Sequence, residues 1–308
     1  MNRCPITLDP CQEDSYSSRG LKLLSPRLAV LNDFPYTRAE QLEQAAQHAS
    51  KMSIQGVQPK LSVKLNVPRG VFEIVNSGGT FIIKPPHAIY PEVVENEDLS
   101  MRLARACGIA VPLSGMIYAK DKSRSYFIKR FDRAARSRRV AVEDFAQLSE
   151  QTRDTKYDSS MEKVATVIET FCTFPAVEKV RLFRLTLFSF LIGNEDMHLK
   201  NFSLITHDGK TELSPAYDLI NTTIILKTTD ELALPLVGKK SGLKRQHFLD
   251  YFAVDRLSIP KTIAERELTH FANSFTRLKE LVELSFLSER LKAEYWALVQ
   301  KRAKAIGL

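Results

Sequence analysis

Cysteine is scarce in this chain. Cys4, Cys11, Cys107 and Cys172 are the only four among 308 residues, and none forms a C-x-x-C pair. That count and spacing exclude a disulfide scaffold and a thioredoxin-like redox motif. Cys4 and Cys11 are two potential thiolates, but a structural zinc takes four ligands and no nearby Cys or His completes the set. Long apolar runs are also missing: the longest, Leu185 to Ile192, is interrupted by Thr186 and Ser189 and falls far short of the ~18 residues that span a bilayer. Met1 to Ser18 lacks a basic start followed by an apolar segment and carries Asp9, Glu13 and Asp14 instead. These absences predict a non-secreted cytoplasmic protein with reduced thiols and no membrane span. There is no internal repeat and no low-complexity segment.

Hydrophobic residues make up 44% of the chain and charged residues 26%, the balance of a folded protein with a substantial core. The length exceeds what a single globular unit usually reaches, so two lobes are expected. The formal charge of +8 suits an anionic partner or a solvated surface. Its densest run, Arg133 to Arg139, has no interleaved aromatics on which bases would stack, and reads as a solvated loop.

The first fifty residues are a polar lead-in, with a helix-compatible run from Arg38 to Ser53. Leu61 to Leu65, Val71 to Val75 and Thr80 to Lys84 are β-type runs separated by Pro68-Arg69-Gly70 and Asn76 to Gly79, which predicts an antiparallel meander. Glu92 to Cys107 reads as a helix, with Glu97 on the same stripe as Val94, Met101 and Ala104. Ser114 to Ala119 and Tyr126 to Phe131 form a second strand pair. Beyond Phe131 the texture is mostly helical: Glu162 to Phe171, Val177 to Ile192, and long amphipathic stretches between Ile263 and Ile306. One hairpin interrupts it, from Asn201 to Ser214 with an Asp208-Gly209 turn.

The polar cluster Asn194-Glu195-Asp196-Met197-His198-Leu199-Lys200-Asn201 follows directly on an apolar helix, where so many polar groups are costly unless paired or used. Asp196 and Asn201 have the D-x-x-x-x-N spacing of a kinase catalytic loop, in which the Asp orients the acceptor hydroxyl and the Asn holds magnesium. Asn201 opens the hairpin and Asp218 lies just past its return strand, so the turn is expected to bring two hard oxygen ligands together. His198 and Lys200 are candidates to place positive charge or donors toward phosphates. Upstream, Ser53 to Lys60 precedes the strands as a candidate phosphate-covering loop. Lys84 ends the third strand as the natural partner of α/β-phosphates, with Glu97 or Glu95 to orient it. Each group alone has an ordinary explanation: a helix cap, a solvated strand-end lysine, a helix-face ion pair. Their order and spacing together are what phosphoryl transfer requires.

On these motifs the chain resembles the HipA-like serine/threonine kinases, toxins of bacterial toxin–antitoxin systems. SIQGVQPK (Ser53 to Lys60), FIIKPP around Lys84, KRFDR (Lys129 to Arg133), NEDMHLKNFSL and LSPAYDL carry the resemblance, which runs from about Ser53 to the C-terminus. It implies an α+β, two-lobed, protein-kinase-like fold, with a small β-rich N-lobe (residues 1–128) and a hinge and mainly helical C-lobe (129–308). It also implies ATP and Mg²⁺ as cofactors, Asp196 as catalytic base, and Asn201 with Asp218 on the metal. Gln55, Gly56, Val57, Gln58, Pro59, Lys60, Lys84, the hinge residues Lys129, Arg130 and Phe131, His198 and Tyr217 are assigned to the nucleotide. Ser53 matches the loop serine these kinases autophosphorylate. A phosphate there would repel nucleotide from an anion-binding loop. Lys129 stands where the prototype has an acidic hinge residue.

With the loop motif starting at Ser53, the chain matches the short form of the family, which lacks an additional N-terminal subdomain. The implied partners are a protein substrate, by resemblance an aminoacyl-tRNA synthetase, and a small antitoxin that resembles the missing subdomain. A helix-turn-helix repressor is a third, with DNA reached only through it. The competing expectations are a catalytically silent nucleotide-binding module of a repressor complex, a nucleic-acid-binding protein with steep salt dependence, and a kinase for a small molecule or lipid.

Overall fold

A computed structural model describes residues 2–13, 15–48, 59–133, 139–152 and 154–308. In chain order the helices are α1 (Ser18–Leu24), α2 (Arg38–His48), α3 (Val93–Ala106), α4 (Phe145–Leu148), α5 (Met161–Phe171), α6 (Pro175–Ile192), α7 (Thr222–Leu226), α8 (Lys261–Leu284) and α9 (Glu289–Ala305). The strands are β1 (Leu61–Asn66), β2 (Val71–Ile74), β3 (Phe81–Lys84), β4 (Ser114–Tyr118), β5 (Arg124–Lys129), β6 (Ala141–Asp144), β7 (Ser203–His207) and β8 (Lys210–Leu213). The chain divides into two compact units. The first comprises Met1–Asp98, Pro112–Arg139 and Leu284–Phe286, and the second Leu99–Val111, Val140–Glu283 and Leu287–Leu308.

The first unit is built on a five-stranded antiparallel sheet in the order β2-β1-β3-β5-β4. This corrects the predicted meander: β3 pairs with β1, not with its sequence neighbour β2. Burial explains the order. Three of the four β3 residues are buried, as an interior strand requires, whereas β2 buries only Phe72 and takes the edge. At the β1–β2 turn Gly70 has φ +57, and a Cβ there would lie 2.3 Å from the Val30 carbonyl oxygen, so only glycine fits. The core under the sheet gathers Leu61, Val63, Phe72, Phe81, Ile83 and Phe127, closed by Ile6, Leu28 and Phe34 from the lead-in. Three aromatic contacts among Phe72, Phe81 and Phe127, with centroids 5.2–6.1 Å apart, hold its centre.

The second unit is organised around α6. Proline at its first turn starts the helix, and Leu182 and then every residue from Leu185 to Ile192 is buried. Buried Glu178 accepts from the Leu213 amide (3.0 Å) and from Arg181 (2.9 Å), which fixes α6 to β8. A three-stranded sheet, β6-β7-β8, flanks the helices. Its first strand was not foreseen, because Ala141–Asp144 alternates exposed and half-buried residues without an apolar face. Arg184 makes a bidentate pair with Glu267 of α8 at 2.6 and 2.8 Å and donates to the Gly108 carbonyl at 2.9 Å. A π-helix over His247–Arg256, absent from the sequence expectation, buries Phe248 and Phe252, and the Phe248 ring packs at a tilt against Phe190 of α6. Among the described residues no helix is long and apolar enough to cross a membrane.

Candidate active site

In the first unit, Lys84 stands opposite Tyr126 in the β3–β5 register. Its ammonium lies 2.5 Å from Glu97 Oε1 and 5.5 Å from the Tyr126 ring centroid, with both charged residues only 2% exposed. Glu95 and Glu97 are two positions apart, about 200° around a helix, and so face different directions. Glu95 takes Arg124 instead, at 2.9 Å, and burial raises its carboxyl despite that partner. The carboxylate that orients the strand lysine is therefore Glu97. Burying both charges costs several kcal/mol each before they attract, so the pair is an expensive feature for a merely structural role.

In the second unit the polar cluster is held by its own backbone. α6 ends at Gly193 in the left-handed conformation (φ 68), where a Cβ would meet Thr223 Oγ1 at 2.5 Å. Thr222 Oγ1 donates to the Gly193 carbonyl (3.1 Å) and accepts from the Glu195 amide (2.7 Å). The Glu195 carboxylate receives the hydroxyls of Thr223 and Thr228. Asn194, fully buried, accepts from the Asp196 amide at 3.2 Å. These bonds turn Glu195 toward the α7 segment and leave the neighbouring Asp196 side chain 46% exposed.

Asn201 donates its amide nitrogen to the Asp196 carbonyl at 2.7 Å, so its oxygen is the end left for a ligand. The β7–β8 hairpin turns through Asp208 (φ 49) and Gly209 (φ 76), two left-handed residues as a type I′ turn requires. The register carries on beyond the strands, with the Ser214 amide donating to Ser203 O at 2.8 Å. Tyr217 then closes the ring. Its hydroxyl donates to the Lys200 carbonyl at 2.9 Å and lies 2.6 Å from Ser203 Oγ, which ties the residue before Asp218 to the residue before Asn201. Asp218 has φ 53, a conformation rare outside glycine and enriched at functional sites.

No group of three or more His, Cys, Asp or Glu among the described residues could hold a metal by itself. One carboxylate and one amide oxygen, with phosphates and waters completing the shell, is nevertheless the donor set Mg²⁺ prefers, and the oriented Asn201 oxygen fits it.

Other predicted residues have acquired local partners. Lys200 pairs with Asp144 at 3.3 Å. The backbone amides of Lys129 and Arg130 donate to Leu113 O (2.8 Å) and Thr80 O (2.9 Å), so those two N–H groups are already committed, and Arg130 forms an ion pair with Asp132 at 2.6 Å. His198 is buried, and burial lowers its pKa against the pull of Asp196. Its Nε2 lies 3.8 Å from Asp196 Oδ1, and its Nδ1 has no hydrogen-bond partner among the described residues. Pro59 and Lys60 lead into β1, while Ser53, Gln55, Gly56, Val57 and Gln58 lie outside the described residues.

The HipA-like C-terminal domain model matches residues 52–278. The chain belongs to the HipA-like kinase family. A candidate kinase of Haemophilus influenzae is 30% identical over 79% of the chain and 75% of its own length. A candidate kinase of Sinorhizobium fredii is 35% identical over 66% of the chain and 53% of its own length. The serine/threonine-protein kinase toxin HipA of Shewanella oneidensis is 24% identical over 72% of the chain and 55% of its own length. The chain thus spans little more than half of the last two relatives.

Solved structures agree on the fold. The Shewanella HipA structure, a toxin–antitoxin complex with HipB and operator DNA, superposes with a TM-score of 0.70 at 21% identity, covering 91% of this chain and 73% of that one. The proinflammatory kinase CtkA of Helicobacter pylori gives 0.53 at 15% identity, covering 73% of this chain and 87% of that one. The α+β architecture, a β-rich N-terminal part and a helical C-terminal part, is that of HipA-like kinases.

Sequence reasoning missed two parts of this candidate site. The threonines that hold Glu195 come from a segment with no motif of its own. Tyr157, which donates a hydrogen bond to Asp196, sits 39 residues before it in an irregular loop with no periodicity to mark it.

Proposed function

We propose that this chain is an ATP- and Mg²⁺-dependent protein serine/threonine kinase of the toxin type. The observation that carries the reading is the anchored loop of the second unit. There an exposed carboxylate precedes, by five residues, an amide tied back to that carboxylate's own backbone, with Asp218 on the segment bonded beside it. Positioning plus electrostatics is most of what phosphoryl transfer asks of a protein, and rigid anchoring supplies positioning.

In the proposed reaction Lys84, oriented by Glu97, would hold the nucleotide phosphates, and Asn201 and Asp218 would hold a metal ion that would supply positive charge against them. Asp196 orients a Ser or Thr hydroxyl and accepts its proton. A bond forms between that oxygen and the γ-phosphorus, the bond to the β-phosphate oxygen breaks, and ADP leaves. Ser53 is the proposed site of self-phosphorylation. The protein substrate is of the aminoacyl-tRNA synthetase class only by family resemblance. An antitoxin or repressor partner is proposed by analogy with the Shewanella complex, whose solved form contains HipB and DNA.

The test is incubation of the purified chain with [γ-³²P]ATP and Mg²⁺, alone and with bacterial lysate, beside Asp196→Ala and Asp218→Ala. Label on the wild type, with Ser53 carrying the self-label, and its loss from both variants is expected. Equal label in the variants would discard the assignments.

A further inference from the structure

Tyr157 has no part in the reaction just described, yet its hydroxyl donates to Oδ1 of Asp196. A half-exposed tyrosine can usually point its hydroxyl into water at no cost, so a phenol turned onto a carboxylate that is itself nearly half exposed requires a reason. The ring is held from two sides. It stands edge-on to His198, with centroids 5.0 Å apart and planes at 84°, and the Lys156 ammonium lies 5.0 Å from its centroid. The loop is also pinned. The Lys156 carbonyl accepts from the Leu199 amide at 3.3 Å, and the Asp158 amide donates to Thr155 O at 2.8 Å. Both the ring and the backbone beneath it are therefore set before any substrate arrives.

Oδ1 of Asp196 is faced by this phenol and by His198 Nε2 at 3.8 Å. The other oxygen, Oδ2, takes no partner among the described residues. Burial and the facing carboxylate both push the Tyr157 phenol upward from its ordinary pKa, so it stays protonated and remains a donor. A carboxylate with one oxygen held and one open has its rotation about the Cβ–Cγ bond fixed, and the open oxygen is the one left for an acceptor hydroxyl. We propose that Tyr157 is a positioning residue for Asp196: it holds Oδ1 so that Oδ2 meets the hydroxyl to be phosphorylated. The inference rests on Asp196 being the base.

The test compares the full chain with Tyr157→Phe, which removes only the hydroxyl, and with Asp196→Asn, by following self-labelling from [γ-³²P]ATP and Mg²⁺ across a range of ATP concentrations, with melting curves alongside. A charged hydrogen bond of this kind predicts that Tyr157→Phe lowers the maximal rate about tenfold. The ATP concentration for half-maximal rate should stay within twofold, and the melting temperature should not change. A maximal rate equal to wild type overturns the proposal. So does a faster one, which would make the phenol a plug on the acceptor position, and so does a loss of rate that tracks a loss of ATP affinity or of stability. An unlabelled wild type, or Asp196→Asn labelled as strongly as wild type, would instead refute the kinase reading and this inference with it.

Discussion

Lys84 and Asp196 are held in opposite ways. The lysine of the β-rich unit lies under the sheet surface, 3% exposed at the side chain and in direct contact with a carboxylate just as buried. The aspartate of the helical unit has its backbone fixed by Asn194, His198 and Asn201, and its carboxyl, although Tyr157 donates to one oxygen, stays nearly half exposed. The difference follows from the tasks proposed for them. A group that must present a fixed positive charge gains from low dielectric and a permanent partner, whereas a group that must take a proton from another molecule has to be reachable. One device is costly to assemble, and removing one member of it should cost stability. The other is cheap in stability, and removing it should cost mainly rate.

The sharpest way to break this contrast is Glu97→Ala. It leaves an ammonium buried beside lost charge, and unfolding in denaturant is expected to show a loss of ~3–5 kcal/mol. A loss below about 1 kcal/mol would mean that the Lys84 ammonium is held without help from Glu97. Asp196→Asn comes next and should behave in the opposite sense, with a melting curve within about 0.5 kcal/mol of wild type, as for an exposed position, and a phosphoryl-transfer rate ~10² lower or worse.

Arg184→Ala sharpens the comparison inside the helical unit, since this guanidinium is a structural charge without a proposed catalytic role. It is expected to cost about 2 kcal/mol, less than the fully buried pair because the arginine is partly solvated, with no specific effect on catalysis. The smallest effect is expected at Glu169, which accepts from Arg256 at 2.9 Å and from Lys179 at 2.7 Å. The Arg256 hydrogen bond, foremost, holds its carboxyl below the usual range. A depressed carboxyl stabilises the fold above its unfolded pKa, and that stabilisation disappears as pH falls through the folded value. The gap between wild type and Glu169→Gln, at most about 1 kcal/mol for such a solvent-screened cluster, should therefore be full at pH 7 and close as pH falls below the ordinary carboxylate range. Urea titrations at several pH values would measure it.

Much of this was legible in the sequence because the signals were local. Short β-type runs marked β1, β3 and β5, the Asp208-Gly209 pair marked the hairpin, and an apolar run marked α6. The spacing from Asp196 to Asn201, with Asp218 just past the return strand, was enough to propose a shared site, and the Tyr217 tether joins those segments. What escaped was non-local or weakly patterned. The position of β3 beside β1 depends on which strand has two faces to bury, which no single strand reveals. β6 is too polar to advertise itself. Glu97 could not be chosen over Glu95 until Arg124 was seen to claim the latter. Tyr157 reaches Asp196 only through the folded path of an irregular loop.

The most direct measurement separates holding the nucleotide from transferring its phosphate. A fluorescent ATP analogue titrated against wild type, Lys84→Met and Asp196→Asn, with label transfer measured in parallel, should show nucleotide affinity lost in the lysine variant and kept in the aspartate variant, with transfer lost in both. Unchanged affinity in Lys84→Met, or full transfer in Asp196→Asn, would contradict the division of labour proposed for the two units.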